Sequence, residues 1–429
     1  MRLRICLYGA LSLLLLCIGV FTYAQESLKL MAYNIYRYPY HTPNNRESLL
    51  ADINEFVEPD LLMVSELVDE YGADRILNVA FESLEDQYLR APFIASEVAI
   101  YDPLHQMVFY NSRKLQLVEH KAHLTEIRDI NQFTFYLKTT QLVEEDTTFL
   151  EVFVCHLKSS NGNENRWKRK SMVDTFFKAI EQLPADRHVV FAGDFNFYEA
   201  HIEPAYNKII SPNNWIKMKD PIDAYGSWHA NEDYSAIHTQ STRISTQGFG
   251  TGGAGGGVDD RFDFIFLSKS LMGNDPYISF MENSYETIGN NGNCFKNRID
   301  SPTCSGFYPQ KLRESLYYMS DHLPVALSLQ INDGWIEPIN INENKINKDF
   351  QYLPKGNLVQ ENLWVKTPSN QKELTFVEMI NSQGSMVYQT SVNPGVTMPI
   401  SLVDFRPGLY FIRILNQGAI MKTYKIIKH

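Results

Sequence analysis

His188-Val189-Val190-Phe191-Ala192-Gly193-Asp194-Phe195-Asn196-Phe197-Tyr198 is the stretch that decides how the chain is read. Val189, Val190 and Phe191 form an apolar β-branched and aromatic run, as a strand buried on both faces would. The run stops at Gly193, and Asp194 and Asn196 follow two residues apart. If the backbone stays extended there, residues i and i+2 point to one side. A carboxylate and a carboxamide would then project together from the end of a core strand. That pairing suits a water held beside a phosphoryl oxygen, the carboxylate accepting the water's proton and the amide donating to the oxyanion. Gly-Asp-Phe-Asn is also rich in turn formers, so a plain turn stands beside the chemical reading.

Working outward, the same pattern recurs. Leu28 to Asn34 alternates as a strand and ends in Asn34, and Leu61 to Val64 runs into Ser65-Glu66. Phe149 to His156 ends in His156. Asp260 to Leu267 contains Asp263, and Leu323 to Leu329 follows Ser320-Asp321-His322. One Glu at a strand end is ordinarily a solvated residue, because charged side chains are mostly exposed. Six apolar strands bordered by carboxylate, amide or imidazole suggest one cleft fed from several strands. Ala99 to Tyr110 and Phe133 to Thr139 read as two further strands.

Two segments read as helices. Arg46 to Val57 carries Leu49, Leu50, Ile53, Phe56 and Val57 on one face, with Asn44 or Asn45 as cap. Asn165 to Leu183 carries Val173, Phe176, Phe177 and Ile180. Its opening turns hold Arg166, Lys168, Arg169 and Lys170, at the end where the helix dipole disfavours cations. These cations are either a solvated face or a phosphate-attracting patch beside His156. The glycines from Gly248 to Gly257 lack a following Lys-Ser/Thr and precede a strand, so they form a mobile loop and not a P-loop.

The chain has 429 residues, 44% of them hydrophobic and 13% aromatic, enough for a large core and a second small domain. Residues 1–24 differ in class: Arg2 and Arg4 precede an apolar run from Leu11 to Val20, and Thr22-Tyr23-Ala24 offers a cleavage site. This reads as a secretory signal, too short to span a bilayer, so a soluble, exported, monomeric chain without stable membrane insertion is expected. In an oxidising compartment Cys294 and Cys304, flanking a polar loop, would pair, while Cys155 reads as a buried free thiol. A net charge of −11 argues against holding nucleic acid by bulk electrostatics, although a divalent cation and a few local Lys or Arg can reverse the field in one cleft. Residues 25–332 form the main domain and 333–350 an Asn-rich linker. Residues 351–429, with turns at Pro354-Lys355-Gly356, Ser382-Gln383-Gly384, Pro394-Gly395 and Pro407-Gly408, form a small all-β sandwich.

Taken in order, Leu30-Met31-Ala32-Tyr33-Asn34, Pro59-Asp60-Leu61-Leu62-Met63-Val64-Ser65-Glu66, Gly193-Asp194-Phe195-Asn196, Arg261-Phe262-Asp263-Phe264 and Ser320-Asp321-His322-Leu323-Pro324-Val325 resemble the motifs of the endonuclease/exonuclease/phosphatase superfamily. His156-Leu157-Lys158-Ser159 is similar to its secreted deoxyribonuclease branch. The resemblance implies an α/β class, a four-layer α/β/β/α sandwich with the cleft at one edge of two packed sheets. It implies Glu66 as the principal ligand of Mg2+ (or Mn2+), helped by Asp321 and Asn34, hard oxygen donors that leave waters on the ion. His322 would polarise or deprotonate the attacking water, with Asp263 fixing its tautomer. Asp194 and Asn196 would orient the nucleophile and phosphoryl oxygens, and His156 would assist the leaving oxygen.

Ser65 departs from the pattern, standing where many relatives have Gln. Leu104 falls where the branch has a Glu supporting the histidine, with Asp102 offset beside it, and Arg128 is a shifted candidate for its phosphate-contacting Arg. The tail, Pro407-Gly408-Leu409-Tyr410-Phe411-Ile412-Arg413 and then Lys422 to Lys428, resembles the C-terminal sorting domain of type IX secretion, which implies secretion machinery as a partner and a secreted or cell-surface location. The implied function is a phosphodiesterase hydrolysing nucleic acid, a DNA endonuclease. The alternatives are a sphingomyelinase-like phospholipase C, a sugar- or inositol-phosphate phosphatase, and a non-catalytic surface binding protein. Whether a structural Ca2+ is also bound stays open.

Overall fold

A computed structural model describes residues 26–84, 87–98, 104–139, 148–249, 253–273, 275–332, 334–335, 352–353, 358–359, 362–367, 374–381, 384–416 and 419–428. The proposed signal, most of the linker, Asp102 and the glycines Gly250 and Gly252 lie outside the described residues. The chain divides into two compact units, Met1–Ile336 and Glu337–His429.

In the first unit, β1 (Glu26–Tyr38), β2 (Leu61–Leu67), β3 (Tyr88–Arg90) and β4 (His105–Asn111) begin one sheet. The next six strands, β5 (Leu115–His123), β6 (Ile130–Leu137), β7 (Phe149–His156), β8 (His188–Asp194), β9 (Met218–Lys219) and β10 (Asp263–Ser268), make the second. The chain then returns to the first sheet with β11 (Ile278–Phe280), β12 (Glu286–Thr287) and β13 (Val325–Ile331). The spatial orders are β11-β13-β1-β2-β4-β3, with β12 also on β13, and β5-β6-β7-β8-β10-β9. The helices are α1 (Arg46–Val57), α2 (Glu70–Arg75), α3 (Asn163–Ile180), α4 (Pro204–Ile209) and α5 (Gln310–Met319).

The alternation of side chains along the strands creates the layers. Val152, Val154, Val190 and Ala192 turn inward onto the first sheet, in a core that continues to Leu50 and Ile53 of α1 and Leu316 and Met319 of α5. Phe153, Cys155, Val189 and Phe191 turn outward onto Met172, Val173, Phe176 and Ile180 of α3. Both faces of each sheet are therefore covered, which is why the strands read as nearly unbroken apolar runs. The result is a four-layer α/β/β/α sandwich. Phe176 stacks on Phe191 with ring centroids 3.8 Å apart, joining helix to sheet. Among the described residues no helix is long and apolar enough to cross a membrane.

Several boundaries differ from the sequence reading. The Ala99–Tyr110 strand begins at His105, the strand expected to start at Asp260 begins at Asp263, and α3 ends at Ile180. Asp260 is instead tied to Gln240 in an isolated bridge. Trp335, expected in the linker, pairs with Thr139. The glycine segment, expected to be a mobile loop, is fastened where it is described: Gly256 and Gly257 N–H donate to the carbonyls of Ile244 and Arg243, at 3.2 and 2.9 Å. Gly257 has φ +87°, and a Cβ there would lie 2.3 Å from the Lys296 carbonyl carbon, so close packing and not looseness explains this glycine.

The second unit contains β14 (Tyr352–Leu353), β15 (Leu358–Val359), β16 (Asn362–Lys366), β17 (Thr375–Asn381), β18 (Met386–Val392), β19 (Thr397–Ser401), β20 (Gly408–Asn416) and β21 (Ala419–Lys428). A three-stranded sheet, β14-β16-β19, and a five-stranded sheet, β15-β21-β20-β17-β18, bury Leu363, Val365, Ile400, Val377, Met379, Ile412 and Ile426 in one core. It is a small all-β sandwich.

Candidate active site

Strand direction brings the polar strand ends to one rim. β1 runs parallel to β2, and β7 parallel to β8, so Glu66, His156 and Asp194 stand at or next to carboxyl ends, level with Asn34, where the regular pairing of β1 with β2 stops. β10 is antiparallel to β8 and β13 antiparallel to β1, so Asp263, at the start of β10, and Asp321-His322, just before β13, reach the same rim. Register sharpens this: Asp194 pairs with His156 on one side and Asp263 on the other. A hydroxyl fastens the segment before β13 to β1 within the first sheet, since Ser320 Oγ donates to Asn34 O at 2.6 Å and accepts the His322 N–H at 3.1 Å.

The cleft at this rim has a volume of about 530 Å³ and is lined by Glu66, His156, Asp194, Asn196, Asp321 and His322, together with Tyr36, Arg37, His41, Leu104, Arg128, Ser159, Ser160, Tyr198, Gln240, Gly253, Ala254 and Phe262. Five of the non-glycine residues here sit in left-handed backbone: Tyr36 (φ +41°), Arg37 (+48°), Glu66 (+61°), Ser160 (+73°) and Asn196 (+53°). Each such residue costs roughly 1–2 kcal/mol, and their gathering at one cleft is the kind of stored strain that accompanies a working site.

The extended backbone considered for Asp194 to Asn196 is not what forms. β8 stops at Asp194 and the chain turns at Asn196, whose N–H and Nδ2 both donate to Asp194 Oδ1, at 3.0 and 2.8 Å. The turn and the chemistry coexist: the turn carries both polar groups into the cleft. The second Asn196 N–H makes only a 3.5 Å contact with Leu157 O.

Asn34 lies behind the cleft. Its Nδ2 donates to Glu66 Oε1 at 3.0 Å and to Asp194 Oδ2 at 3.1 Å, while its Oδ1 accepts the Tyr36 N–H at 3.0 Å. The amide thus faces the carboxylates as a donor, with its oxygen engaged by the Tyr36 N–H. The atoms that do gather are those of Glu66, His156 and Asp194, one ligand atom from each lying within 4.8 Å of the others. Asp321 Oδ2 accepts from Gln240 Nε2 (3.3 Å) and the Ala254 N–H (2.6 Å), whereas its Oδ1 is buried without a partner. Three carboxylates and an imidazole, one oxygen of them orphaned, are a donor set that fits a hard divalent cation.

The electrostatics agree with that fit. Burial, and then Asp321, push the Glu66 carboxyl above its usual range. Burial raises Asp194 to about 7, with Asp263 and Glu66 adding to the effect and His322 opposing it. For His322, burial favours the neutral ring, but Asp263 and Asp194 more than offset it and hold the proton well above the ordinary imidazole range. Its Nδ1 lies 2.7 Å from Asp263 Oδ2, which leaves Nε2 toward the cleft. Gln240 Nε2 approaches that Nε2 at 2.6 Å, a donation the neutral ring can accept; a protonated ring needs the amide turned so that its oxygen faces it. His156 behaves oppositely, driven well below 6.5 by burial and then by Arg128, His322 and Lys158. Its Nε2 lies 3.5 Å from Asp194 Oδ2, its Nδ1 has no partner, and Leu104 lines the cleft beside it.

Gln240 and Ala254 are absent from the sequence reading. They lie in a polar stretch and a glycine-rich stretch without periodicity, and only the bridge from Gln240 to His322 and Asp260 brings the former to the rim. Cys294 and Cys304 are bonded to each other, and Cys155 is a buried free thiol, raised well above its ordinary pKa by burial.

Neither protein-family models nor curated proteins give a match to this chain. Among solved structures it is similar to D. rerio TDP2 complexed with single strand DNA product, at 16% identity over 71% of this chain and 100% of that one, with a TM-score of 0.47. It is similar to the human Nocturnin catalytic domain with bound sulfate anion, at 14% identity over 71% and 94%, with a TM-score of 0.43. A third likeness is to an endonuclease/exonuclease/phosphatase from Beutenbergia cavernae, at 12% identity over 94% and 100%, with a TM-score of 0.45.

Proposed function

We propose that the chain is a divalent-metal-dependent phosphodiesterase that hydrolyses nucleic acid, acting as a DNA endonuclease. The observation that carries this reading is the meeting, in one cleft, of a carboxylate cluster suited to a cation with the His322–Asp263 pair suited to moving a proton. Glu66 would be the main ligand of Mg2+ or Mn2+, with Asp321, whose Oδ1 lacks a partner, completing the oxygen set. Such an ion supplies Lewis-acid stabilisation of charge developing on a phosphoryl oxygen.

The chain's own side chains do the rest. Asp194, braced by Asn34 and Asn196, orients the attacking water. His322, tied through Nδ1 to Asp263, presents Nε2 to that water, and its readiness to take a proton depends on how far the surrounding carboxylate charge is offset. Water attacks phosphorus in line, the opposite P–O bond breaks, and no covalent enzyme intermediate forms. His156 is kept neutral, so it serves the leaving oxygen as a hydrogen-bond donor through Nε2–H more than as a full acid. The second N–H of Asn196, held only by its 3.5 Å contact with Leu157 O, can swing to a phosphoryl oxygen.

Purified protein is expected to nick supercoiled plasmid with Mg2+ or Mn2+ and to stop with chelator. His322→Ala and Asp194→Ala are expected to lose about 10²–10⁴-fold in rate. Unchanged cutting by either variant would remove the site from the reaction, and turnover of sphingomyelin or inositol phosphates with plasmid left intact would move the substrate class. We also propose export through the N-terminal signal and the C-terminal sandwich; a chain ending at 336 is expected to stay inside the cell envelope.

A further inference from the structure

One flank of the cleft is positively charged, although the chain carries −11 overall. β7 ends at His156 and leads through residues 157–162 into α3. Ser159 and Ser160 of this connection line the cleft beside Arg128, and Ser160 is exposed. Lys158 Nζ folds over the same loop, donating to Ser159 O at 2.9 Å and approaching Ser159 Oγ at 3.5 Å. Arg128 Nη1 donates to Leu157 O at 3.3 Å. One cation, Arg128, and two hydroxyls thus line the cleft beside the acidic floor, with Lys158 bonded to the same loop. The crowding of positive charge is felt by Lys158, whose pKa is lowered by burial and then by Arg128, Lys168 and Arg169.

The loop is pinned from behind. Arg169, in the second turn of α3, is fully buried, its Nη1 donating to Lys158 O at 2.9 Å and Ser160 O at 3.0 Å. Its Nε and Nη2 donate to Glu203 Oε2 at 3.1 and 2.7 Å, which balances its charge. The carbonyls on either side of Ser159 are therefore fixed by one guanidinium. Ser160 is held at φ +73°, which is unfavourable for a side-chain-bearing residue without such a fastening. Arg169 is thus neither part of a solvated basic face nor open to solvent. Lys168 and Lys170 on the same helix pair with Glu164 and Asp174 at i,i+4 spacing.

We propose that Ser159 and Ser160, with Lys158 and Arg128, form a second phosphate subsite that takes the phosphodiester adjacent to the reacting one in a nucleic-acid strand, and that Arg169 is the positioning residue that shapes it. This rests on the phosphodiesterase reading above and deepens it, because a substrate with a single phosphate cannot occupy both places. Hydroxyls and a neighbouring cation suit phosphate oxygens of any sequence, so the subsite positions the strand without reading bases.

The test compares a short single-stranded oligodeoxynucleotide with bis(4-nitrophenyl) phosphate, which has one phosphodiester. For the Ser159→Ala/Ser160→Ala double variant, KM for the oligonucleotide is expected to rise about tenfold with little change in kcat, as loss of hydrogen bonds to a charged partner implies. The preference for oligonucleotide over the small diester falls by the same factor. Arg169→Met reproduces that KM rise, and Arg169→Lys, which keeps the charge opposite Glu203, restores part of it. Lys158→Ala lowers the salt dependence of binding by about one unit of slope. Binding of the labelled oligonucleotide in Ca2+ is measured in parallel, since it needs no turnover. Unchanged binding by the double variant, or an equal loss on both substrates, overturns the subsite. Wild-type protein that binds the oligonucleotide with the expected dependence on Ser159 and Ser160 but hydrolyses neither substrate supports the subsite and overturns the catalytic reading instead.

Discussion

Asp194 holds its proton to about pH 7 because burial and two neighbouring carboxylates disfavour its charge. In the unfolded chain the same carboxyl ionises near 3.8. Between those values the folded state binds the extra proton, so this group's contribution to stability is present at low pH and is lost as pH rises through about 7. Without divalent cation, Asp194→Asn is expected to raise the melting temperature relative to wild type by more at pH 8 than at pH 5, while costing about 10²–10⁴-fold in hydrolysis. Thermal melts in chelator, paired with nicking assays, measure both. Added Mg2+ or Mn2+ favours the ionised carboxylates and is expected to raise the wild-type melting temperature most at the high-pH end, by ligand linkage. A variant that gains stability while losing turnover marks a group kept for chemistry at the expense of the fold.

The element that organises the rim is β8, and Gly193 is its most constrained position. With φ +133°, a Cβ there would stand 2.0 Å from Cys155 O on β7. Gly193→Ala therefore combines left-handed strain with overpacking and is expected to cost about 3 kcal/mol or more, measurable as a lower midpoint in urea. Val189, Val190 and Phe191 announce β8 by composition, and the sheet-facing row of Val173, Phe176 and Ile180 announces α3, because burial on a fixed period leaves a mark in the residues themselves. β5 left no such mark: Leu115 to His123 contains Glu119, His120 and Lys121, and much of it is exposed. α5 carries Leu312, Leu316 and Met319 at helical spacing but follows a polar cysteine loop that hides its start. Side chains at strand ends were legible because each breaks an apolar run. Gln240 and Ala254 were not, since their place depends on pairings across more than 60 residues of chain.

At the scale of the molecule, each unit buries a core of its own, and the cleft belongs wholly to the first. A chain lacking 337–429 is expected to retain most of its kcat/KM, read by the same nicking assay. The Cys294–Cys304 bond closes a short loop whose two sulfurs sit in the first core. Replacing both by Ala is expected to cost about 2–3 kcal/mol and to lower the melting temperature by several degrees while hydrolysis at 25 °C persists. The rim is assembled from strands at both ends of the first unit, from Asn34 on β1 to His322 ahead of β13, so its chemistry has no early installment. A nascent chain halted before Asp321 lacks both Asp321 and His322 and leaves β1 without its antiparallel neighbour. The rim is therefore complete only once the final segment of the first unit has been made, and any activity it carries switches on late in synthesis.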